Sequence, residues 1–199
     1  LFRSTYPDVI SYVERSAISS PTLDDVRQAV LAIRRGKGMV IDETDTDTRS
    51  VGSFFMNPVV SADIHASLES AAGAAVPGFR MPHNRIKVPA AWLIEQAGFP
   101  RGYQAGPVGL SSKHPLAIVN RGTATARDVL RLAAGIKRRV ADRFGIRLVP
   151  EPAFVGFGDD EDAGRHQSSF AGSVGAPASF AFASLSSRSI RSPRATDSS

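Results

Sequence analysis

Apolar positions recur at helical spacing in two long stretches of the chain. Between Thr22 and Arg35, the residues Leu23, Val26, Val30 and Ile33 share one helical face, which predicts that this face is buried. Thr22 is placed to cap the helix with Asp25 at N3, a short-armed capping box. Arg34 and Arg35 complement the C-terminal dipole, and Gly36 suits the left-handed residue that stops the helix. The longest pattern runs from Ala126 to Phe144, where Val129, Leu132, Ile136, Val140 and Phe144 form the stripe and Arg and Lys fill the other face. Thr125 and Asp128 predict its start, and Gly145 its end.

Shorter patterns lie between these two. A helix is expected after a Ser61 cap, with Ile64 and Leu68 inward. Ala71 to Arg85 contains Gly, Pro, His and Asn without periodicity and reads as a loop. Pro89 suits the first turn of a short helix over Ala90 to Ala97, stopped by Gly98. Pro115 to Asn120 suits a buried strand, and Ile146 to Gly156 reads as a strand interrupted by Pro150 and Pro152. Helices alternating with short strands predict an α+β or α/β domain, of which α+β is preferred. After about Gly158 a DDED run gives way to a Ser, Ala, Arg and Pro mixture. That composition predicts a disordered low-complexity tail over 158–199, with a phosphorylated or anion-binding tail as the alternative.

Composition narrows the class. With 199 residues, 42% hydrophobic and 22% charged, the chain suits one domain plus tails. The absence of cysteine excludes disulfides and thiolate metal sites. No apolar run of about 18 residues is present, nor a leader pattern, so a cytoplasmic protein with no membrane partner is expected. The chain begins at Leu1 rather than methionine, which points to missing upstream sequence. The net charge of +5 favours an anionic partner, yet the basic residues are scattered and not interleaved with aromatics. Nucleic acid is therefore not expected as the partner.

Four segments carry polar groups suited to chemistry. Gly52-Ser53-Phe54-Phe55-Met56-Asn57-Pro58 reads alone as a strand start with buried rings, although Ser53 and Asn57 bracketing aromatics also suit a pocket wall. Arg34-Arg35-Gly36-Lys37-Gly38 reads as solvated charge at a helix end, or as a phosphate clamp with Lys37 as its mobile charge. KVPAAWLIEQAGFPRG (87–102) and LSSKHPLAIVNRG (110–122) hold the single Trp92, ordinarily a core residue, and His114, ordinarily structural. Leu148-Val149-Pro150-Glu151-Pro152 fixes a carboxylate between two stiff residues, although such a Glu is ordinarily exposed and inert.

Taken together, GSFFMNPVV, KVPAAWLIEQAGF, SSKHPLAIVNRG and PEPAFVG resemble the UDP-N-acetylenolpyruvoylglucosamine reductases with an extended substrate domain. The likeness covers Tyr6 to Gly156, and its Gly-Ser-Phe-Phe segment is the most specific part. The resemblance implies reduction of UDP-N-acetylglucosamine enolpyruvate to UDP-N-acetylmuramate for peptidoglycan synthesis. NADPH would reduce a bound FAD, and hydride would then pass to C3 of the enolpyruvyl ether. Charge developing at C2 then needs a stabilising site and a proton donor.

By the same resemblance, Ser53 matches the proton donor to C2, and Glu151 matches the acid that helps stabilise or protonate the intermediate. Tyr6 matches a tyrosine that closes over the nucleotide diphosphate, Lys37 a lysine near that diphosphate, and Asn57 a polar contact. Arg101 stands where the family usually has lysine, a change of geometry at constant charge. His114 matches another substrate-facing position, with Pro115 in place of the usual alanine. An arginine that the family uses at this site matches no segment here, and no glycine-rich pyrophosphate loop precedes Tyr6. The implied organisation is the end of an FAD-binding domain over 1–36, a substrate-binding domain over 37–145, a returning C-terminal strand segment over 146–157, then the tail. A monomer is expected, and the alternative reading is a truncated, non-catalytic nucleotide-sugar binding module.

Overall fold

Local sequence signals set the ends of the longer helices. In the computed structural model, which describes residues 4–156, Thr22 and Asp25 close a full capping box at the start of a helix over Leu23–Gly36. Thr125 and Asp128 do the same for Ala126–Phe144, and Gly145 ends it in the left-handed conformation. The tail expected over 158–199 lies outside the described residues. In chain order the helices are α1 (Pro7–Arg15), α2 (Leu23–Gly36), α3 (Ala62–Ala72), α4 (Ala90–Gln96) and α5 (Ala126–Phe144). The strands are β1 (Ser50–Ser53), β2 (Val59–Ser61), β3 (Phe79–Met81), β4 (Arg85–Lys87), β5 (Gln104–Ala105), β6 (Val108–Leu110) and β7 (Ala117–Asn120).

Two antiparallel sheets form, ordered β1-β7-β6-β5 and β2-β4-β3. Their mixture with helices bears out the α+β reading. The stripe expected on α5 is buried at Leu132, Ile136, Val140 and Phe144, and the helix lies against α4, β6 and β7. One continuous apolar core joins these residues to Phe54, Phe55, Leu93, Ile94, Leu110, Ile118 and Leu148. Burying such side chains contributes on the order of 1.5–3 kcal/mol each.

Several expectations need correction. Ala71 to Arg85 is not a loop throughout: α3 runs on to Ala72, and β3 and β4 form a hairpin. His83 and Asn84 turn that hairpin with φ of 60° and 54°. Strands of three residues have no period to detect, and Phe79 on this hairpin is exposed. Ile64, expected inward on α3, is exposed, while Leu68 is buried as expected. The returning segment after Ile146 is not a regular strand. It keeps one bridge, Phe55 with Pro150, because Pro150 and Pro152 have no N–H to donate.

The N-terminal helices differ as well. No periodicity announced α1, yet Pro7 in its first turn and Asp8 behind it are start signals. It packs on α2, whose expected inward face is only partly covered: Leu23 is exposed, and Ala29 is the helix's one buried residue. Gly36 is the last residue of α2 rather than its stop. The left-handed residue is Gly38, at φ 67°.

At Gly109 in β6, an added Cβ would sit 2.4 Å from the Tyr103 carbonyl oxygen, which accepts a hydrogen bond from Leu110 N–H at 2.8 Å. Gly109→Ala is therefore expected to destabilise the fold by about 1–3 kcal/mol, the usual range for overpacking. Chemical denaturation of the variant beside the parent chain measures this, and an unchanged midpoint would contradict the close approach.

Candidate active site

Ser53 ends β1 with hydrogen-bonded chain on both sides of the residues that follow it. Phe54 N–H donates to Leu116 O at 2.8 Å, and Ser53 is paired with Ala117 at the start of β7. On the other side Glu151 N–H donates to Phe54 O, and Met56 N–H to Val149 O, each at 2.9 Å. The rings of Phe54 and Phe55 are buried and meet edge to face at 5.1 Å. These contacts bring Glu151 alongside the residue next to Ser53 and leave its side chain exposed. Ser53 is half-buried, and its hydroxyl makes no hydrogen bond among the described residues. It is free to engage a ligand.

The turn before β7 carries His114. Ser111, fully buried, accepts hydrogen bonds through Oγ from Lys113 N–H at 3.1 Å and His114 N–H at 3.3 Å. Leu116 N–H donates to His114 Nδ1 at 3.3 Å, which assigns the proton of the neutral ring to Nε2. Burial holds the His114 pKa below its usual value, and the positive charges of Lys37 and Arg101 lower it further. Both cations therefore lie within electrostatic reach of the ring. The Arg101 turn is tied directly to this one, because Gly102 N–H donates to Ser111 O at 3.2 Å.

Each remaining candidate has a definite place. Arg101 Nε lies 3.3 Å from Glu95 Oε1, and Lys37 Nζ 2.6 Å from Asp8 Oδ2, both exposed ion pairs. The Lys37 bond holds the Asp8 carboxyl below its usual range. Tyr6 is the N-cap residue of α1, two positions before Asp8, and its side chain is exposed. Asn57 serves the fold: its Oδ1 accepts from Ala90 N–H at 2.8 Å, satisfying the start of α4 where Pro89 has no capping side chain. Ser53 and Glu151 thus flank Phe54 at one end of the larger sheet, and His114 lies in the turn before the strand paired with β1. The charges of Lys37 and Arg101 act on its ring, and Tyr6 precedes by two positions the Asp8 that pairs with Lys37.

Asp47, which no sequence pattern singled out, underlies this arrangement. It lies in a short 3-10 turn, Thr46–Thr48, and is only 4% exposed. Its Oδ2 accepts from Ser112 N–H at 2.9 Å and Ser112 Oγ at 2.6 Å, while Oδ1 lies 3.1 Å from Arg121 Nη1. That last contact is an ion pair without hydrogen-bond alignment. Arg121 Nη2 donates to Leu110 O at 3.2 Å. The one available signal was the alternation of Asp and Thr through DETDTDT, just ahead of Gly-Ser-Phe-Phe.

No cluster of three or more His, Asp or Glu suited to a metal occurs among the described residues. Nor is any helix among them long and apolar enough to cross a membrane.

Comparison with known proteins matches residues 43–155 to the family described as UDP-N-acetylenolpyruvoylglucosamine reductase, C-terminal domain. Among curated proteins, the UDP-N-acetylenolpyruvoylglucosamine reductase of Thermobifida fusca is 51% identical over 140 residues, covering 67% of this chain and 39% of the relative. The reductase of the same name from Mycobacterium leprae is 45% identical over 153 residues, covering 76% and 41%. That of Mycobacterium tuberculosis is 46% identical over 158 residues, covering 76% and 42%. The chain spans about two fifths of the length of the curated relatives it matches.

His114 is expected to titrate below 6.5, and Lys37→Met and Arg101→Met should each raise its midpoint by removing a like charge. Because the folded pKa lies below the unfolded one, the group costs no stability well above 6.5. It destabilises the fold progressively as pH falls below that value. Proton NMR of the imidazole against pH reads both effects, and a midpoint unmoved by either substitution would place the cations too far away.

Proposed function

The chain belongs to the UDP-N-acetylenolpyruvoylglucosamine reductase C-terminal domain family, and we propose that it forms the substrate site of such a reductase. The substrate is UDP-N-acetylglucosamine enolpyruvate, which is reduced to UDP-N-acetylmuramate in peptidoglycan precursor synthesis. The observation that carries this reading is the placement of Ser53 and Glu151 on either side of Phe54, bonded through its backbone, with the His114 turn leading into the strand that pairs with Ser53.

A nucleoside diphosphate needs cations that can reach its oxygens. Lys37 and Arg101 supply them from two elements, and Tyr6 adds an exposed aromatic ring two residues before Asp8, the partner of Lys37. His114, with its proton on Nε2, offers a neutral donor where a third full charge would be disfavoured. Ser53 gives its proton to C2 of the enolpyruvyl group, because a strongly basic enolate-like carbon accepts a proton even from a weak acid. Glu151, fixed between prolines, helps to stabilise or protonate the same centre. Asn57 lends only its amide NH2 group to the ligand, since its oxygen is held by α4.

FAD and NADPH belong to this reading as the source of hydride. The described residues do not fit the diphosphate of FAD. Side chains already cap α2, α3 and α5, and Asn57 closes α4. At the start of α1, the free end, the carboxylate of Asp8 opposes an anion. No residue of this chain is therefore assigned to the cofactor, and no step is routed through it.

Calorimetric titration with UDP-N-acetylglucosamine enolpyruvate tests the proposal. One-to-one binding is expected, weakened roughly ten- to hundred-fold by Lys37→Ala or Arg101→Ala, as for loss of a charged hydrogen bond. Ser53→Ala should bind like the parent chain and should abolish reduction once the chain is completed with a flavin-binding domain. No heat from a folded parent chain would overturn substrate binding by these residues. Full reduction by Ser53→Ala would overturn Ser53 as the proton donor, and binding with no reduction even by the completed parent would leave a nucleotide-sugar binding module.

A further inference from the structure

Burying a carboxylate costs several kcal/mol unless its partners compensate, so Asp47 needs a reason. Among the described residues the buried polar residues are Asp47, Thr48 and Ser111, and all three belong to one assembly. The Thr48 hydroxyl lies 2.9 and 2.8 Å from the Asp42 and Asp45 carbonyl oxygens and shares its one proton between them, winding the turn that presents Asp47. Ser111 holds the other side, through its bonds to the Lys113 and His114 amides. Between them Asp47 takes both donors of Ser112 and the charge of Arg121. The end of α2 passes close by: a Cβ on Gly38, which has φ 67°, would lie 3.2 Å from the Asp47 backbone carbonyl oxygen.

An apolar pair of the same volume would stabilise a core as well or better than a buried ion pair. What a carboxylate adds is direction, since its two oxygens accept along fixed lines from a particular amide, a particular hydroxyl and a particular guanidinium. Ser112 is two residues from His114, and Arg121 grips the Leu110 carbonyl just ahead of the turn and Thr46 Oγ1 beside Asp47.

We propose that Asp47 is a positioning residue for the nucleotide-sugar site, fixing the Ser111–His114 turn through Ser112 and Arg121 so that His114 presents its Nε2–H to the ligand. The inference rests on the substrate reading above for the identity of that ligand, but not for the clamp itself. Asp47 touches no substrate. It acts through the turn that does.

The test uses the full chain, with two readouts. Nitrogen-15 NMR of the His114 imidazole reports its tautomer without ligand, and calorimetry with UDP-N-acetylglucosamine enolpyruvate reports affinity. The parent chain should show the Nε2–H tautomer alone. Asp47→Asn should give a tautomer mixture and bind about ten-fold more weakly, the loss of one hydrogen bond to a charged group. Asp142→Asn, an exposed carboxylate on α5, should match the parent in both readouts. Should Asp47→Asn unfold, Ser112→Ala decides: it removes one donor, leaves the Arg121 pair, and should shift both readouts the same way by less. Folded variants with an unchanged imidazole spectrum and unchanged affinity overturn the proposal. A parent chain that shows the tautomer but no binding overturns the substrate reading instead, and the imidazole spectra still decide the clamp.

Discussion

The buried carboxylate of Asp47 is the contact through which the pieces of the site are held in one place. It joins its own turn to both flanks of β7, through Ser112 in the turn before the strand and Arg121 just past it, while Gly38 at the end of α2 passes close to the Asp47 backbone carbonyl. Its own turn leads directly into β1 and Ser53. The arrangement has a cost that packing alone would not carry. A carboxylate with 4% exposure has lost nearly all its water, and two Ser112 donors and a guanidinium replace that water. Removing the carboxylate leaves Arg121 largely enclosed without its counter-charge, so the Asp47 turn and the two flanks of β7 hold together or loosen together.

A different device fixes the far side of Ser53. Pro150 and Pro152 have no N–H, so Glu151 carries the only backbone donor in that tripeptide. That donor goes to Phe54 O. A sliding register would have to offer a proline where an N–H is needed, and so the segment cannot shift by one residue without losing its bond. The prolines that prevent a regular strand thus determine where the Glu151 backbone lies. The buried rings of Phe54 and Phe55 anchor the other partner of the same contact.

These two devices also mark where sequence reading succeeds and where it stops. Helix α5 was legible because its information is local, with a cap, a stripe and a stop within some twenty residues, and the start of α2 was legible from its capping box. The strands have two to four residues each, too few to display alternation, so the β3–β4 hairpin passed as a loop. Leu23 was misplaced because periodicity identifies an apolar face but not what covers it. The site residues were matched through their motif wording, and read alone the segments holding Ser53, Asn57, Lys37, His114 and Glu151 favoured bland roles. Asp47 escaped altogether, since a carboxylate whose partner lies 65 residues away looks the same in sequence as a solvated one. Asn57 was legible as polar and near the site, but its bond to the start of α4 is a long-range fact.

The charged groups of the region divide into two kinds by burial, and the division bears on the proposed ligand. Arg121 is mostly enclosed, faces Asp47 and braces a backbone carbonyl, so pulling it away would expose an unpaired buried charge. Lys37 and Arg101 are paired too, with Asp8 and Glu95, but those pairs are open to solvent. Exposed pairs of this kind contribute about 0–1 kcal/mol, because water screens them and two long side chains must be ordered. A diphosphate bringing two negative charges outcompetes a single carboxylate for such a cation at little cost. Asp8 and Glu95 can then return to water, where they are well solvated. The same type of contact is therefore a permanent brace when buried and an exchangeable holding position when exposed. That distinction separates the cation that builds the site from the two that are free to meet what enters it.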